Sequence, residues 1–510
     1  MAIETFPTVP LSRALNGFGI NLGSVLAQEW AYVEAKRAGC TEVRFQMAWS
    51  GVEDFDNPGR FNLSAMDEPL RLCKKYGMRP IVVAAYGPPH RTIQTVTVNG
   101  LHPIGSTTLT VTGNLSGIQL GRDHIGGLWY QVGFGKPAYY GGIIHDVSGQ
   151  VITLGAATTG VFNNGDAISI NRLLYPSVDS MKADSAERYA DYVTALANKI
   201  AGEGVEGRIE VWNEPPWVND TWDDRSRFYD DPVGKGIATW TFTIQPLITA
   251  LATRTMPPGI GLVSSGTNKS GGHGILRYLT ADQVAASSFV ADAIHPYGPY
   301  PEYSWWWTSG AGLSWGAGFV NLNGNSNFAF NAKVQADNPS AGLEYVVTET
   351  GTHTTDNEVK RNYDLRHLVG AWSMGLTMVN FYSLADTVGL AQVDAVTHVP
   401  FDGWEDIVRL MDFLRVVNAD VDRYVLPSIN TWYGTEWNLA VHTIGPVMVV
   451  HQRPVPPGLD PVFPGPARLT LNAGPGSLFV LGVNNRTHQD AKGNVIYVGE
   501  KPVILTRYLG

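Results

Sequence analysis

Short apolar runs alternate with amphipathic stretches over the first 90 residues. Residues 16–23 are apolar and flanked by glycine, which fits a buried strand. Residues 27–38 follow with Trp30, Val33 and Ala38 at helical spacing, and Gly39 is the residue type that stops a helix. The runs 42–49 and 79–86 repeat the strand pattern, separated by a helix from Asn62 to about Tyr76 that Gly77 ends. Strand, helix, strand, helix, strand predicts parallel pairing through right-handed crossovers.

That rhythm stops between 91 and 175. No helical period is present there, and alternating runs such as 95–98, 107–111 and 150–154 are divided by Gly and Asn turns, which predicts an all-β insertion. A loop of that length is expected to carry structure or function of its own. Helical spacing returns at 184–200, and strand-like runs recur at 208–212, 260–265, 289–297, 344–349 and 376–383. Helices are expected near 237–253, 276–287, 327–336, 359–374 and 406–417. Eight βα units are the number that closes a (β/α)8 barrel, in which the C-terminal strand ends gather on the face where chemistry is done. From about 421 helical spacing is lost, and the runs 439–443, 447–451, 467–471, 477–481 and 502–506 predict a β-sandwich. The expected organisation is a barrel over 15–90 and 176–418, an insertion over 91–175, and a sandwich over 419–510, with 1–14 joining the sandwich or lying along the barrel.

A chain of 510 residues exceeds what one compact core usually holds, which agrees with several units. The 36 basic and 46 acidic residues give a net charge of −10, which argues against nucleic acid or an anionic membrane as partner. No stretch approaches the ~20 apolar residues of a membrane span. The N-terminus shows no leader pattern, so the compartment stays open: secreted or periplasmic if a leader has been removed, cytoplasmic otherwise. With Cys40 and Cys73 alone, there is no disulfide framework or thiolate metal site, and His273, His295 and His353 lack ligand spacing. No cofactor or metal is expected. Oligomeric state does not follow from these features.

Two strands end in glutamate. Arg208-Ile-Glu-Val-Trp-Asn-Glu-Pro places Glu214 at the lip of the fourth strand, and Glu-Tyr-Val-Val-Thr-Glu-Thr-Gly places Glu349 at the lip of the seventh. Being 135 positions apart, they can meet only through the tertiary fold. Paired carboxylates across one cleft suit hydrolysis of a glycosidic bond: Glu214 as acid/base, its carboxyl protonated at the start, and Glu349 as nucleophile. A retaining mechanism needs the two carboxyls about 5–5.5 Å apart.

The Trp212-Asn-Glu-Pro215 motif, Arg44 on strand two, His295-Pro-Tyr297 on strand six and Thr348-Glu-Thr-Gly351 on strand seven together resemble the clan A glycoside hydrolases. The resemblance covers about 15–95 and 180–418. With its trailing sandwich the chain looks most like family 39 and its exopolysaccharide-degrading relatives, with family 5 second. The resemblance implies that Asn213 bonds the substrate 2-hydroxyl, that Arg44 and Tyr297 hold Glu349, and that His295 supports them. Strand eight departs from the pattern: many clan members place a Trp there, and this chain has Phe381-Tyr-Ser383. Tyr382 or Trp404 is expected to substitute.

The chain has 15 Trp and 21 Tyr, many in Gly/Pro-rich loops, and flat aromatic faces suit sugar rings. Trp49, Trp217, Trp222 and Trp306, within the run 305–307, are the expected platforms. The reading is a retaining β-glycosidase, endo-acting on an oligo- or polysaccharide because long aromatic loops and an insertion build an extended groove. An exo-β-glycosidase, a transglycosylase and a non-catalytic carbohydrate-binding protein on a barrel scaffold are the alternatives.

Overall fold

The computed structural model describes residues 3–85, 90–120, 122–125, 144–155, 157–158, 161–174, 183–213, 245–264, 266, 275–295, 341–351, 357–385, 390–433, 438–453, 467–472, 477–482, 495–498 and 501–509. Eight strands, labelled in chain order, form the barrel: β1 (Phe18–Asn21), β2 (Glu42–Ala48), β3 (Arg79–Ala85), β4 (Gly207–Val211), β5 (Ile260–Val263), β6 (Phe289–Ile294), β7 (Glu344–Thr350) and β8 (Met378–Phe381). All pair in parallel, and β8 pairs with β1 to close the barrel. Parallel strands are buried on both faces, which is why they read as nearly continuous apolar runs. Inward positions form a small cluster of Val263, Ala291, Ala293, Val346 and Met378. Outward positions such as Val43, Ile209 and Val347 join the large layer packed under the helices.

The helix Glu29–Ala38 ends at Gly39, whose φ of 88° lets its N–H return to the carbonyls of Ala35 and Lys36. The run expected as one helix over 276–287 is instead a 3-10 turn (Ile275–Arg277) followed by the helix Ala281–Ala285. Thr280 explains the break: it forms a capping box with Gln283, and a capping side chain takes the backbone donors that a continuous helix would use. The helices Asn357–Ser373 and Asp402–Ala419 follow β7 and β8. The helix expected at 327–336 lies outside the described residues.

Between β3 and the helix Ala183–Gly202 a six-stranded antiparallel sheet stands on the C-terminal side of β3, running from His90–Val98 to Ala167–Leu173. It has its own core, including Val96, Leu109, Val111, Ile152 and Ile170. Its stem is fastened to the loop after β2, where Arg91 pairs with Asp56 and lies over the Phe55 ring at 4.4 Å.

The C-terminal strands form a six-stranded sheet facing a three-stranded one (Ile429–Tyr433, Ala467–Leu471, Val495–Val498). Leu439, Val441, Met448 and Val450 from the first sheet meet Leu469, Leu471, Ile496 and Val498 from the second, which makes a β-sandwich. Alternate residues of the strand Val447–Arg453, Val447 and Val449, point the other way into the barrel's outer layer. Ile3–Thr5 pairs in parallel with Asn438–Ile444, so the first strand of the chain belongs to this sheet. Among the described residues, no helix is long and apolar enough to cross a membrane.

Candidate active site

Polar side chains from five barrel strands converge near the C-terminal mouth. Arg44 on β2 is the hub. Its Nε donates to Glu210 Oε2 at 2.6 Å, its Nη1 to Asn21 Oδ1 at 2.7 Å and to Glu349 Oε1 at 2.5 Å, and its Nη2 to Asn213 Oδ1 at 3.0 Å. The rigid guanidinium fork thus ties β1, β2, β4 and β7 together. Asn21 donates in turn to the carbonyl of Thr348 at 2.9 Å. His295, one residue past β6, lies with Nε2 2.9 Å from Thr348 Oγ1 and 3.5 Å from Glu210 Oε1, and with Nδ1 3.6 Å from Glu349 Oε2. Arg44, Glu210, His295 and Glu349 are all buried.

Two breaks in strand alternation aim this set inward. Glu210 points into the barrel and Val211 out, so strict alternation would send Trp212 in and Asn213 out. Trp212 instead adopts φ 70°, an uncommon value for a bulky residue, while its N–H still reaches the Ala84 carbonyl at 3.1 Å. Its ring remains outside, 5.9 Å from that of Tyr189, and Asn213 turns in to Arg44. On β7, Val347 pairs with Val379 but Thr350 pairs with Phe381, so β7 carries one extra residue, a β-bulge. Thr348 reaches Glu210 and Glu349 reaches Arg44 although they are neighbours, and Thr350 faces outward to His367 at 3.2 Å. Bulges of this kind re-aim side chains beside functional sites.

Burial opposes the charge on Glu210, but the Arg44 guanidinium and the His295 contact outweigh it and hold the carboxyl at about 2. Burial likewise opposes the charge of Arg44. The two flanking carboxylates reverse that and raise its affinity for the proton well above the ordinary arginine value. One buried cation therefore lies between two carboxyl groups.

Of the residues singled out from sequence, Asn213, Arg44, His295 and Glu349 are brought together. Glu214, Tyr297, Trp217, Trp222 and Trp306 lie outside the described residues. Tyr382 is half-buried just past β8, where Met378 and Asn380 take the inward positions and Val379 and Phe381 the outward ones; its N–H bonds the Thr350 carbonyl at 2.7 Å. Two expectations are corrected. Trp49 is 0% exposed, stacked on Tyr192 and bonded through Nε1 to Glu53, so it offers no face to a sugar. Trp404 is also 0% exposed, in the outer helix Asp402–Ala419 against Phe18 with Nε1 on Glu34; it packs the barrel wall and does not stand in for the strand-eight Trp.

Sequence reasoning gave no site role to Glu210, Thr348, Asn21 or Gly266. Glu210 did carry a signal: a carboxylate inside an apolar strand has to be paired, because an unpaired buried charge is too costly. The Gly266 N–H donates to Glu210 Oε1 at 3.2 Å, and a Cβ there would overlap the His295 ring, so glycine is required by close approach. Among the described residues, no group of three or more His, Cys, Asp or Glu is placed to hold a metal ion.

No protein-family model and no curated protein sequence matches the chain. Among solved structures it is similar to a family 39 glycoside hydrolase from the gut symbiont Bacteroides cellulosilyticus WH2. The likeness covers 98% of this chain and 81% of that one, at 15% identity and a TM-score of 0.52. A GH30 endoxylanase from Clostridium papyrosolvens C71 is similar over 99% of this chain and 98% of that one, at 12% identity and a TM-score of 0.49. The chain shares with the family 39 structure a closed eight-stranded barrel fold, and carries added β-sheets.

Proposed function

We propose that the protein is a retaining β-glycoside hydrolase acting within an oligo- or polysaccharide chain. The observation that carries this reading is that Glu349 and Asn213, from opposite sides of the barrel mouth, share the Arg44 guanidinium. The residue after Asn213 in the sequence is Glu214, the proposed acid/base. In this reading Glu214 protonates the leaving oxygen while Glu349 attacks the anomeric carbon. Glu214 then removes a proton from the water that releases the glycosyl group from Glu349. Asn213 holds the 2-hydroxyl. The sheet standing beyond β3 favours an extended groove and hence cleavage within a chain.

The test is a panel of aryl β-glycosides and β-linked polysaccharides offered to the unaltered protein, Glu349→Ala and Glu214→Gln, following reducing ends and the anomer first released. Turnover is expected in the unaltered protein with the β-anomer released first. Glu349→Ala should lose several orders of magnitude in rate. Glu214→Gln with azide should give a β-glycosyl azide. Unchanged turnover by Glu349→Ala refutes the assignment. Absence of turnover together with saturable binding by all three proteins replaces it with a carbohydrate-binding scaffold.

A further inference from the structure

Four residues before the proposed acid/base, β4 holds a second carboxylate that the reaction itself does not use. Glu210 is 0% exposed, yet every group facing it is positioned to keep it ionised. Arg44 Nε donates to Oε2 at 2.6 Å from β2. Thr348 Oγ1 donates to Oε1 at 3.0 Å from β7, the Gly266 N–H donates to the same oxygen at 3.2 Å from beyond β5, and His295 Nε2 lies 3.5 Å away past β6. A buried ion pair of this kind is weak evidence for stability by itself, since an apolar pair of the same volume often serves as well. What the pair does here is constrain a third group: the same guanidinium that Glu210 grips at Nε reaches Glu349 through Nη1 and Asn213 through Nη2.

We propose that Glu210 is a positioning residue for the nucleophile, fixing the rotation of Arg44 toward Glu349 and sharing its guanidinium charge. The proposal rests on the assignment of Glu349 as nucleophile. A carboxylate paired with an undivided guanidinium binds its proton less tightly and is the weaker nucleophile. With Glu210 charged, Arg44 is divided between two carboxylates. Thr348 and His295 serve the same arrangement. The hydroxyl donates to Glu210, so its oxygen is left to accept from His295 Nε2–H, which sets that ring between the two carboxyls.

The experiment is a titration of Glu349 in protein enriched in 13C at the glutamate carboxyl carbons, the resonance being assigned by its loss in Glu349→Gln; no substrate is needed. In Glu210→Gln, which keeps the shape and leaves Arg44 with one carboxylate, the pH at which Glu349 titrates should fall by about one unit. In Arg44→Gln it should rise. Opposite directions from the two partners are the signature of a shared charge, and loosened packing would not produce them. If Glu210→Gln does not fold, the same downward step is read in Glu210→Met, which also removes the charge and keeps Arg44. An unchanged or raised titration point in the folded Glu210→Gln protein overturns the proposal. With a glycoside that is turned over, the acid limb of the kcat/KM profile should move down by the same amount. If no glycoside is turned over but the carboxyl titration still moves, the link from Glu210 to Glu349 stands and the glycosidase assignment fails.

Discussion

Replacing Arg44 with methionine, which retains most of the side-chain length, would leave Glu210 and Glu349 facing each other without their shared cation. The size of the effect follows from the carboxyl that the structure holds most tightly. Glu210 is moved from its ordinary 4.5 to about 2 in the fold. At about 1.4 kcal/mol per unit this amounts to about 3 kcal/mol of linkage at neutral pH, within the ~3–5 kcal/mol for breaking a buried pair by removing one partner. A barrel transition should then fall by about 5–10 °C at pH 7, at roughly 2 °C per kcal/mol. The pH dependence supplies the sharper test. In the unaltered protein the Glu210 contribution is present above pH 4.5 and is lost as pH falls toward 2, because the folded state binds the proton more weakly than the unfolded chain. Without Arg44, burial outweighs the remaining contacts from His295, Thr348 and Gly266 and raises the carboxyl above 4.5. The folded variant then binds the proton more tightly than the unfolded chain and regains stability as pH falls from 7. Calorimetry of both proteins from pH 7 to 4.5 should show the gap between them closing. A variant that melts within 2 °C of the unaltered protein, or a gap that stays constant over this range, refutes the electrostatic reading of the hub.

Two further outcomes follow from residues outside the hub. Trp404→Ala should cost about 3–5 kcal/mol in the barrel transition, as for a large aromatic removed from a core, and leave the affinity for any bound saccharide unchanged; weaker binding without a stability loss would restore it to the site. His451 is buried where the sandwich meets the helix Asn357–Ser373, in a chain running from Ser373 through His442 to the Gln452 carbonyl. Burial, with Arg366 nearby, holds its imidazole well below the ordinary 6.5, so its contribution to stability is present above that value and lost as pH falls below it. The slope should be about 1.4 kcal/mol per pH unit, and His451→Gln should flatten the melting profile between pH 6.5 and 5.5; an unaltered slope in that variant would show that another group carries the effect.

The alternation of short apolar runs and helical spacing was enough to lay out the barrel, because strand period, helix period and glycine stops are local properties of the chain. Gly39 ends its helix whatever packs on it, and β2 through β8 needed no knowledge of their partners to be recognised as strands. Glu349 was legible for a related reason: it lies at a predicted strand end, and the fold class gathers those ends on one face; Asn213, His295 and Arg44, the third residue of its strand, were singled out through the resemblance. The tertiary structure decided everything that depends on what meets a side chain from far along the sequence. Trp49 and Trp404 have the composition of sugar platforms, but Tyr192 and Phe18 cover them. Ile3–Thr5 is too short to declare its sheet, and its partner lies more than 400 residues away. Glu210 reads as one of two charges, with Arg208, in a short strand until Arg44, Thr348 and Gly266 arrive from three other parts of the chain. The left-handed turn at Trp212 and the extra residue in β7 decide which neighbours face inward, and alternation alone assigns those positions to the opposite side. Burial and charge pairing act through space, so their outcome is set only when the barrel closes.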